Sequence, residues 1–222
     1  MTKLAASALL LSIVFVCFCE NSMADTVWDV NNLKLIGGHE TTVLGSPKVI
    51  ETDRGKAVEF DGVKDGLLVD ALPLAGAEKF TLEVIFRPDA NGLAAQRFLH
   101  MQENNSDNRI LMLLETLPAN KTLWYLDTYV RSAKGSGNLY KPTSRHRMGK
   151  WYNATLVYDG RQMQHYVNGV KEASEKLAFS PLSSDGKTSI GVKINQKSWF
   201  KGAIRKVRFT RRVLKPEEFL QP

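Results

Sequence analysis

Short runs in which apolar and polar residues alternate constrain this chain more than any other feature of its sequence. Alternation places successive side chains on opposite faces of a β-strand, so each run predicts a strand with one buried face. Gly, Pro, Asn and Asp interrupt the runs at intervals typical of tight turns. The runs occupy residues 56–60, 66–69, 80–87, 97–102, 109–115, 122–131, 151–158, 162–167, 187–194 and 203–210. Such a series of short strands, with almost no helical periodicity, predicts an all-β antiparallel sandwich or jelly roll.

Residues 1–24 differ from the rest of the chain and predict a cleavable signal peptide. Lys3 provides a positively charged start, residues 4–19 are apolar and uncharged, and Ser22 and Ala24 are the small residues that precede a cleavage site. About 16 apolar residues are fewer than the roughly 20 needed to span a bilayer, which disfavours a membrane anchor. We therefore expect cleavage after Ala24, a secreted or periplasmic protein, and no transmembrane segment after signal cleavage.

Both cysteines lie inside the predicted signal peptide, so residues 25–222 contain none. A disulfide framework is thereby excluded, and the exported part must be stabilised by a hydrophobic core. Its length suits one domain better than two. The net charge is +7, and removing Lys3 and Glu20 leaves it unchanged. A basic exported domain favours anionic partners, above all polysaccharides that bear uronate or sulfate, whereas nucleic acid is the least favoured of the anionic partners.

Four segments of the chain follow a recognisable family pattern. Residues 55–62 are GKAVEFDG, residues 80–88 are FTLEVIFRP, and residues 151–169 combine WY, YDG and YVNG in one predicted hairpin. Residues 200–219 contain FKGAI, RVL and EEF near the end of the chain. In this order the segments resemble the laminin G-like branch of the concanavalin A-like lectin/glucanase superfamily. The resemblance implies a two-sheet antiparallel jelly roll with one concave face over residues 25–222.

The resemblance also implies binding of glycans or protein surfaces, with polysaccharide cleavage in some relatives. No strand contains Glu-x-Asp-x-x-Glu, a pattern that supplies the paired carboxylates of a retaining glycosidase. The nearest candidate, Glu83, is a single carboxylate among apolar residues. Our leading interpretation is a non-catalytic, lectin-like module that binds an anionic polysaccharide. A polysaccharide lyase and a protein–protein adhesion module are the alternatives, and we assign no catalytic residue.

A candidate ligand-binding face is predicted from polar and aromatic residues at alternate positions of two strands. Alternate side chains leave the same face of a sheet, so neighbouring strands of this type would form a polar platform for a sugar chain. The candidates are His100 and Gln102 on one strand and Tyr125, Asp127, Tyr129 and Arg131 on the other. A lyase would use a Tyr or His as acid or base and an Arg to hold the substrate carboxylate. The alternative is that aromatic side chains simply suit a half-exposed sheet.

The last predicted strand and the turn after it are strongly basic. No Asp or Glu occurs between Lys201 and Lys215, and the resemblance implies acidic residues at positions 205 and 206. The candidate anion-binding patch consists of Lys201, Arg205, Lys206, Arg208, Arg211 and Arg212. Arg suits sulfate and carboxylate because its guanidinium donates two parallel hydrogen bonds. Protection of a strand edge against aggregation is the alternative, and we expect replacement of Lys206, Arg208 and Arg211 to leave the fold intact.

No cofactor is predicted, and the metal content is left open. The sequence contains no His/Cys cluster at metal-ligand spacing, which disfavours zinc and redox metals. Calcium stays an alternative because many relatives bind it through loop oxygens, although no Asp-rich loop here has the spacing of a self-contained calcium loop. His165 occupies a position where the resemblance implies an aliphatic residue, and we interpret it as a buried, hydrogen-bonded histidine.

Overall fold

The structure is a computed structural model that describes residues 25–222. The predicted signal peptide therefore lies outside the described residues. Two antiparallel sheets pack face to face around a shared core, and a 3₁₀ turn at Pro216–Glu218 follows the last strand. This arrangement confirms the predicted all-β, two-sheet jelly-roll sandwich.

Sheet I has eight strands. They are β1 (Thr26–Asp29), β4 (Lys48–Thr52), β5 (Gly55–Asp61), β7 (Phe80–Pro88), β13 (Tyr152–Tyr158), β14 (Gln162–Val167), β15 (Val170–Lys176) and β17 (Lys201–Thr210). The order across the sheet is β15-β14-β13-β7-β17-β5-β4, and β1 also pairs with β17. The first and last strands of the described chain are thus neighbours.

Sheet II has nine strands. They are β2 (Leu35–Ile36), β3 (His39–Leu44), β6 (Gly66–Val69), β8 (Ala95–Glu103), β9 (Arg109–Leu117), β10 (Asn120–Ser132), β11 (Gly135–Tyr140), β12 (His146–Arg147) and β16 (Gly186–Ile190). The order is β11-β10-β9-β8-β16-β6-β3-β2, with β12 paired to β10. The strands β8 to β11 therefore form one continuous half of the sheet.

Aromatic side chains connect the two sheets. Phe86 of β7 stacks on Phe98 of β8 with 4.4 Å between ring centroids. Trp124 and Phe200 meet the Phe86 ring edge to face at 5.4 and 6.1 Å, and all four side chains are fully buried. Such pairs add about 0.5–1.5 kcal/mol each beyond the area that they bury. The core of a chain without disulfides in this region is thus anchored by ring packing between the sheets.

The end of the chain covers part of the outer face of sheet I. The backbone N–H of Leu220 donates to Glu83 Oε1 at 2.7 Å, and its carbonyl accepts from Asn153 Nδ2 at 2.8 Å. A second apolar cluster seals this contact and consists of Val157, Tyr166, Leu214 and Phe219. Strands β10 and β11 of sheet II keep exposed or half-buried side chains along their length.

Strand β16 is shorter than the predicted run at residues 187–194. It ends at Ile190 because Gly191 adopts φ 80°, a conformation that favours glycine. A Cβ at Gly191 would lie 2.5 Å from the Phe60 ring. The turn directs the following residues back toward β8, where Ile194 donates its N–H to His100 Nδ1 at 3.1 Å. Lys193 is thereby brought to the outer face of sheet II.

Candidate functional site

The six residues of the predicted ligand-binding face share the outer face of sheet II. Their two strands are not neighbours, however, because β9 lies between β8 and β10. Tyr129 lies opposite Leu111 of β9, and Leu111 lies opposite His100 of β8. The predicted platform therefore extends over three strands, with the outward residues of β9 at its centre.

His100 belongs to the scaffold of this face. Its side chain is fully buried, and its Nδ1 accepts the N–H of Ile194. Burial, together with the nearby charges of Lys193, Arg109 and Arg97, lowers the pKa of His100 to about 3. We therefore correct the prediction that His100 is a ligand-facing residue, since it is a neutral, hydrogen-bonded support for the turn after β16.

Gln102 and Arg131 lie near the hairpin between β8 and β9 and are already engaged there. Gln102 Nε2 donates to the carbonyl of Ser106 at 2.7 Å. Arg131 Nη1 lies 3.7 Å from Asp107 Oδ2, and Arg109 Nη1 lies 3.3 Å from Asp107 Oδ1. Arg131 keeps 46 % of its side chain exposed, so it can still reach a ligand, whereas Gln102 is committed to the turn.

Tyr125 and Asp127 form the acidic side of the face. Tyr125 donates its hydroxyl to Glu115 Oε2 at 2.8 Å, and burial with this hydrogen bond raises the pKa of Tyr125 to about 12. Burial, reinforced by repulsion from Glu115, raises the pKa of Asp127 to about 7. Asn138 donates to Asp127 Oδ1 at 2.6 Å when its amide nitrogen faces that oxygen. At neutral pH the Asp127 carboxyl is therefore present in both protonation states.

Three cations beside Asp127 turn this part of the face into a cationic depression of about 230 Å³. It is lined by Arg97, Arg109, Leu111, Leu113, Asp127, Tyr129, Asn138 and Lys193. Among residues 25–222, neither Arg97 nor Lys193 forms an ion pair within 4.0 Å. Burial and repulsion from the two arginines lower the pKa of Lys193. Cations this close to one another are stabilised by an anion placed between them.

The two arginines of the cationic depression each keep one buried donor unpaired. The Nε atoms of Arg97 and Arg109 are buried and find no hydrogen-bond partner within the described part of the chain. The guanidinium of Arg109 also lies over the Tyr129 ring, 5.0 Å from its centroid, an arrangement that fixes both groups. Buried donors of this kind cost free energy unless a ligand or water satisfies them.

The alternation of residues along the strands does not predict that Arg97 and Lys193 lie on this face. A register shift between Arg97 and Leu99 turns Arg97 to the same face as His100, although the two are three positions apart. Lys193 reaches the face only through the turn at Gly191. The remaining cation, Arg109, could have been predicted as a residue of this face from the sequence. It begins the run at residues 109–115, in which positions 109, 111 and 113 point to the same side of the sheet.

The candidate anion-binding patch does not form one free surface, because Arg208 is part of a buried ion pair. Arg208 contacts Glu83, whose side chain is fully buried, and its Nη2 donates to the carbonyl of Glu218 at 2.7 Å. Removing one partner of a buried pair typically costs about 3–5 kcal/mol. The expectation that Arg208 can be replaced without effect on folding is therefore wrong.

The other members of the patch have separate environments. Lys206 pairs with Asp29 at 2.9 Å, and Arg212 pairs with Glu218 at 2.9 Å. Lys201 begins β17 and Arg211 follows its end, so they lie at opposite ends of the strand.

Arg205 lies on β17 and contacts Trp151 and Arg54. Its guanidinium lies 5.9 Å from the Trp151 ring centroid and donates to the carbonyl of Arg54 at 2.9 Å. With Lys206 it lines a second depression of about 380 Å³ that also contains Arg54, Lys56 and Asp29. We call this the sheet I depression.

Two loop carboxylates, Asp61 and Asp65, hold turns. Asp61 Oδ1 accepts the N–H groups of Val63, Lys64 and Asp65 at 2.8–3.1 Å. Asp65 Oδ1 accepts the N–H of Ser46 at 2.7 Å. Residues 25–222 contain no group of three or more His, Cys, Asp or Glu side chains arranged to hold a metal ion. No helix within these residues has the length and apolar character needed to cross a membrane.

The Laminin_G_3 family model, which describes the concanavalin A-like lectin/glucanases superfamily, matches residues 61–219. No curated protein gives a significant match to the sequence. Among solved structures, domain 4 of AbnA, a GH43 extracellular arabinanase from Geobacillus stearothermophilus in complex with arabinotriose, is similar with a TM-score of 0.63 and 16 % identity. The match covers 89 % of this chain and 95 % of that chain.

Two toxin binding domains share the fold as well. The botulinum neurotoxin serotype G binding domain has a TM-score of 0.65 at 13 % identity, with 89 % of this chain and 49 % of that chain covered. The binding domain of Paraclostridial Mosquitocidal Protein 1 has a TM-score of 0.66 at 11 % identity, with 87 % and 50 % covered. Identities this low show the fold alone. The family match extends over most of the chain, and the protein belongs to the concanavalin A-like lectin/glucanases superfamily.

Proposed function

We propose that this protein is an exported, non-catalytic module that binds an anionic polysaccharide through the outer face of sheet II. The observation that carries the proposal is the cationic depression, where Arg97, Arg109 and Lys193 surround an apolar floor beside the Tyr129 ring. Sugar-binding sites combine a ring face for stacking with convergent polar groups. The cations add the charge that selects an acidic sugar.

Comparison with a relative supports the class of ligand. The AbnA domain, which has the same fold, was solved with arabinotriose. Arabinotriose is a neutral oligosaccharide, so this relative supports glycan binding in general, and the preference for an anionic glycan is argued from the charges of this chain alone. Export is proposed from the signal-peptide features of residues 1–24, and N-terminal sequencing of the secreted protein should start at Asp25.

Binding rather than cleavage is proposed because neither Tyr125 nor Glu83 is placed to act as a catalytic base. Tyr125 has a pKa of about 12 and donates to Glu115, so it is a weak general base at neutral pH. Glu83, the single strand carboxylate considered from the sequence, is buried and paired with Arg208. Both residues lie on sheet I, away from the proposed binding face.

The proposal is tested by calorimetric titration with polygalacturonate and alginate, with neutral dextran as the control ligand. Removing both charges in an Arg97→Gln/Arg109→Gln variant should weaken binding by at least about tenfold, because a hydrogen bond to a charged group is worth about 1.5–3 kcal/mol. The matched control is Arg54→Gln/Arg205→Gln, which makes the same charge change in the sheet I depression. Its affinity should stay within about twofold of wild type once salt screens long-range attraction over about 8 Å.

Three results would count against the proposal. Equal affinity for dextran and polygalacturonate would remove the anionic preference. A larger loss in the Arg54→Gln/Arg205→Gln variant would move the ligand to the sheet I depression and thus to part of the basic patch. Steady formation of unsaturated uronate, followed by ultraviolet absorbance, would make the protein a lyase.

A further inference from the structure

One carboxyl group lies inside the cationic depression without an ion pair. Asp127 is 7 % exposed, and no cation of residues 25–222 lies within 4.0 Å of its oxygens. The hydrogen bond from Asn138 accounts for one carboxyl oxygen. An acid placed in a site for anions needs an explanation, since in its ionised form it opposes the ligand.

Charged and titratable groups face Asp127 from every neighbouring strand and from the turn after β16. They are Arg97 on β8, Arg109 and Glu115 on β9, Tyr125 and Tyr129 on β10, Tyr140 on β11, and Lys193. Burial and Glu115 favour the protonated acid, whereas Arg97 and the hydrogen bond from Asn138 favour the carboxylate. The balance raises the pKa of Asp127 to about 7, so the carboxyl titrates in the neutral pH range.

We infer that the cationic depression is a subsite for one carboxylate of an acidic sugar, held by Arg97, Arg109 and Lys193, and that Asp127 binds a proton as the ligand enters. The inference rests on the proposed function and names the ligand group. The ligand carboxylate adds a negative charge beside Asp127 and Glu115, which favours protonation of Asp127. The proton comes from solvent, and the resulting O–H of Asp127 donates to a ligand oxygen.

A carboxylate fits this subsite better than a sulfate ester. A carboxylate oxygen is the stronger hydrogen-bond acceptor, and two carboxyl groups in contact are stable when they share one proton. The volume of about 230 Å³ is below the roughly 300–1,000 Å³ of pockets that enclose a drug-sized ligand. The subsite therefore accommodates one charged group or one sugar residue, and neighbouring residues of the polymer extend along the sheet.

The inference is tested by calorimetric titration of the protein, expressed from its full sequence, with an oligogalacturonate. Each titration is run at pH 7 in two buffers that differ in ionisation enthalpy, because the difference in observed heat counts the protons taken up. We expect an uptake of a fraction of one proton per site, since part of the Asp127 carboxyls is already protonated before the ligand binds. Affinity should fall between pH 6 and 8. The fall is up to about tenfold for each unit by which the bound ligand raises the pKa of Asp127.

The matched variant is Asp127→Asn, which keeps the size of the side chain and removes its titration. It should bind without proton uptake and with an affinity that changes little between pH 6 and 8. Loss of charge from Lys193 at high pH affects wild type and variant alike, so the difference between them reports Asp127. His100, with a pKa of about 3, does not titrate in this range.

The outcomes separate the inference from the proposed function. Absence of binding to any polyuronate would overturn the proposed function itself. Binding without proton uptake in wild type, or with equal uptake in Asp127→Asn, would overturn the inference alone. If the variant does not fold, the two-buffer measurement on wild type still decides whether a proton is taken up on binding. Dextran sulfate that binds as tightly as oligogalacturonate, with the same proton uptake, would overturn the choice of a carboxylate.

Discussion

Replacing Arg208 with methionine should destabilise the protein severely, because the substitution leaves Glu83 buried without its cation. Glu83 has no exposed side-chain surface and Arg208 has 13 %. Removal of one partner from such a pair costs about 3–5 kcal/mol. In a domain of this size each kcal/mol lowers Tm by about 2–4 °C, so Tm should fall by roughly 6–20 °C.

The control for Arg208→Met is Lys206→Met, a substitution on the same strand. Lys206 pairs with Asp29, and the two side chains are 32 % and 57 % exposed. Exposed pairs contribute about 0–1 kcal/mol, so Tm should change little. The double variant Glu83→Gln/Arg208→Met should recover part of the loss, because it removes the buried charge as well as its partner.

The pH dependence of the same variant tests the cause. Burial raises the pKa of Glu83 above its usual value despite the hydrogen bonds and the charge of Arg208. Without Arg208 this pKa rises further, and a raised pKa makes the folded state relatively more stable as pH falls. The Tm difference between Arg208→Met and wild type should therefore shrink on acidification. A Tm difference below about 3 °C at pH 7, or one that grows at low pH, would refute the role assigned to this pair.

Three further predictions follow from single residues. Gly191→Ala should lower Tm and weaken glycan binding together, because its Cβ would meet the Phe60 ring at 2.5 Å and displace the turn. Stability should fall as pH drops from about 6.5 toward 4, because burial lowers the pKa of His165 to about 4 and the unfolded chain binds the proton that the folded chain does not. The effect is up to about 3 kcal/mol, and the variant His165→Asn should reduce it in thermal melts. Tyr129→Ala should lose roughly tenfold in polygalacturonate affinity with an unchanged circular dichroism spectrum.

The fold could be predicted from the sequence wherever a strand is largely buried and bounded by turn residues. Phe80–Pro88 and Gln162–Val167 were located because their apolar positions alternate and their ends carry turn residues. The strands of the first part of the described chain were missed, including His39–Leu44. Most of its residues are exposed or half-buried, so the contrast between apolar and polar positions is weak there.

The candidate site could be predicted only in part. Parity within β10 correctly placed Tyr125, Asp127 and Tyr129 on one face. The bulge reverses the direction of Arg97, and the turn at Gly191 brings Lys193 to the face. Both depend on pairing with other strands, so the pattern of a single strand does not predict them. For the same reason Arg208 was interpreted as an exposed cation, since its partner Glu83 is distant in sequence and adjacent only in the sheet.

The most direct test of glycan binding at sheet II is a proton–nitrogen correlation spectrum of the arginine Nε–H groups, recorded with and without an oligogalacturonate. The Nε atoms of Arg97, Arg109 and Arg205 are all buried and without a partner in the described residues, so the chemical shift of each N–H reports on an anion that binds beside its guanidinium. Binding in the cationic depression should shift the Arg97 and Arg109 signals and leave the Arg205 signal unchanged. A shift of Arg205 alone would contradict the account and place the ligand in the sheet I depression.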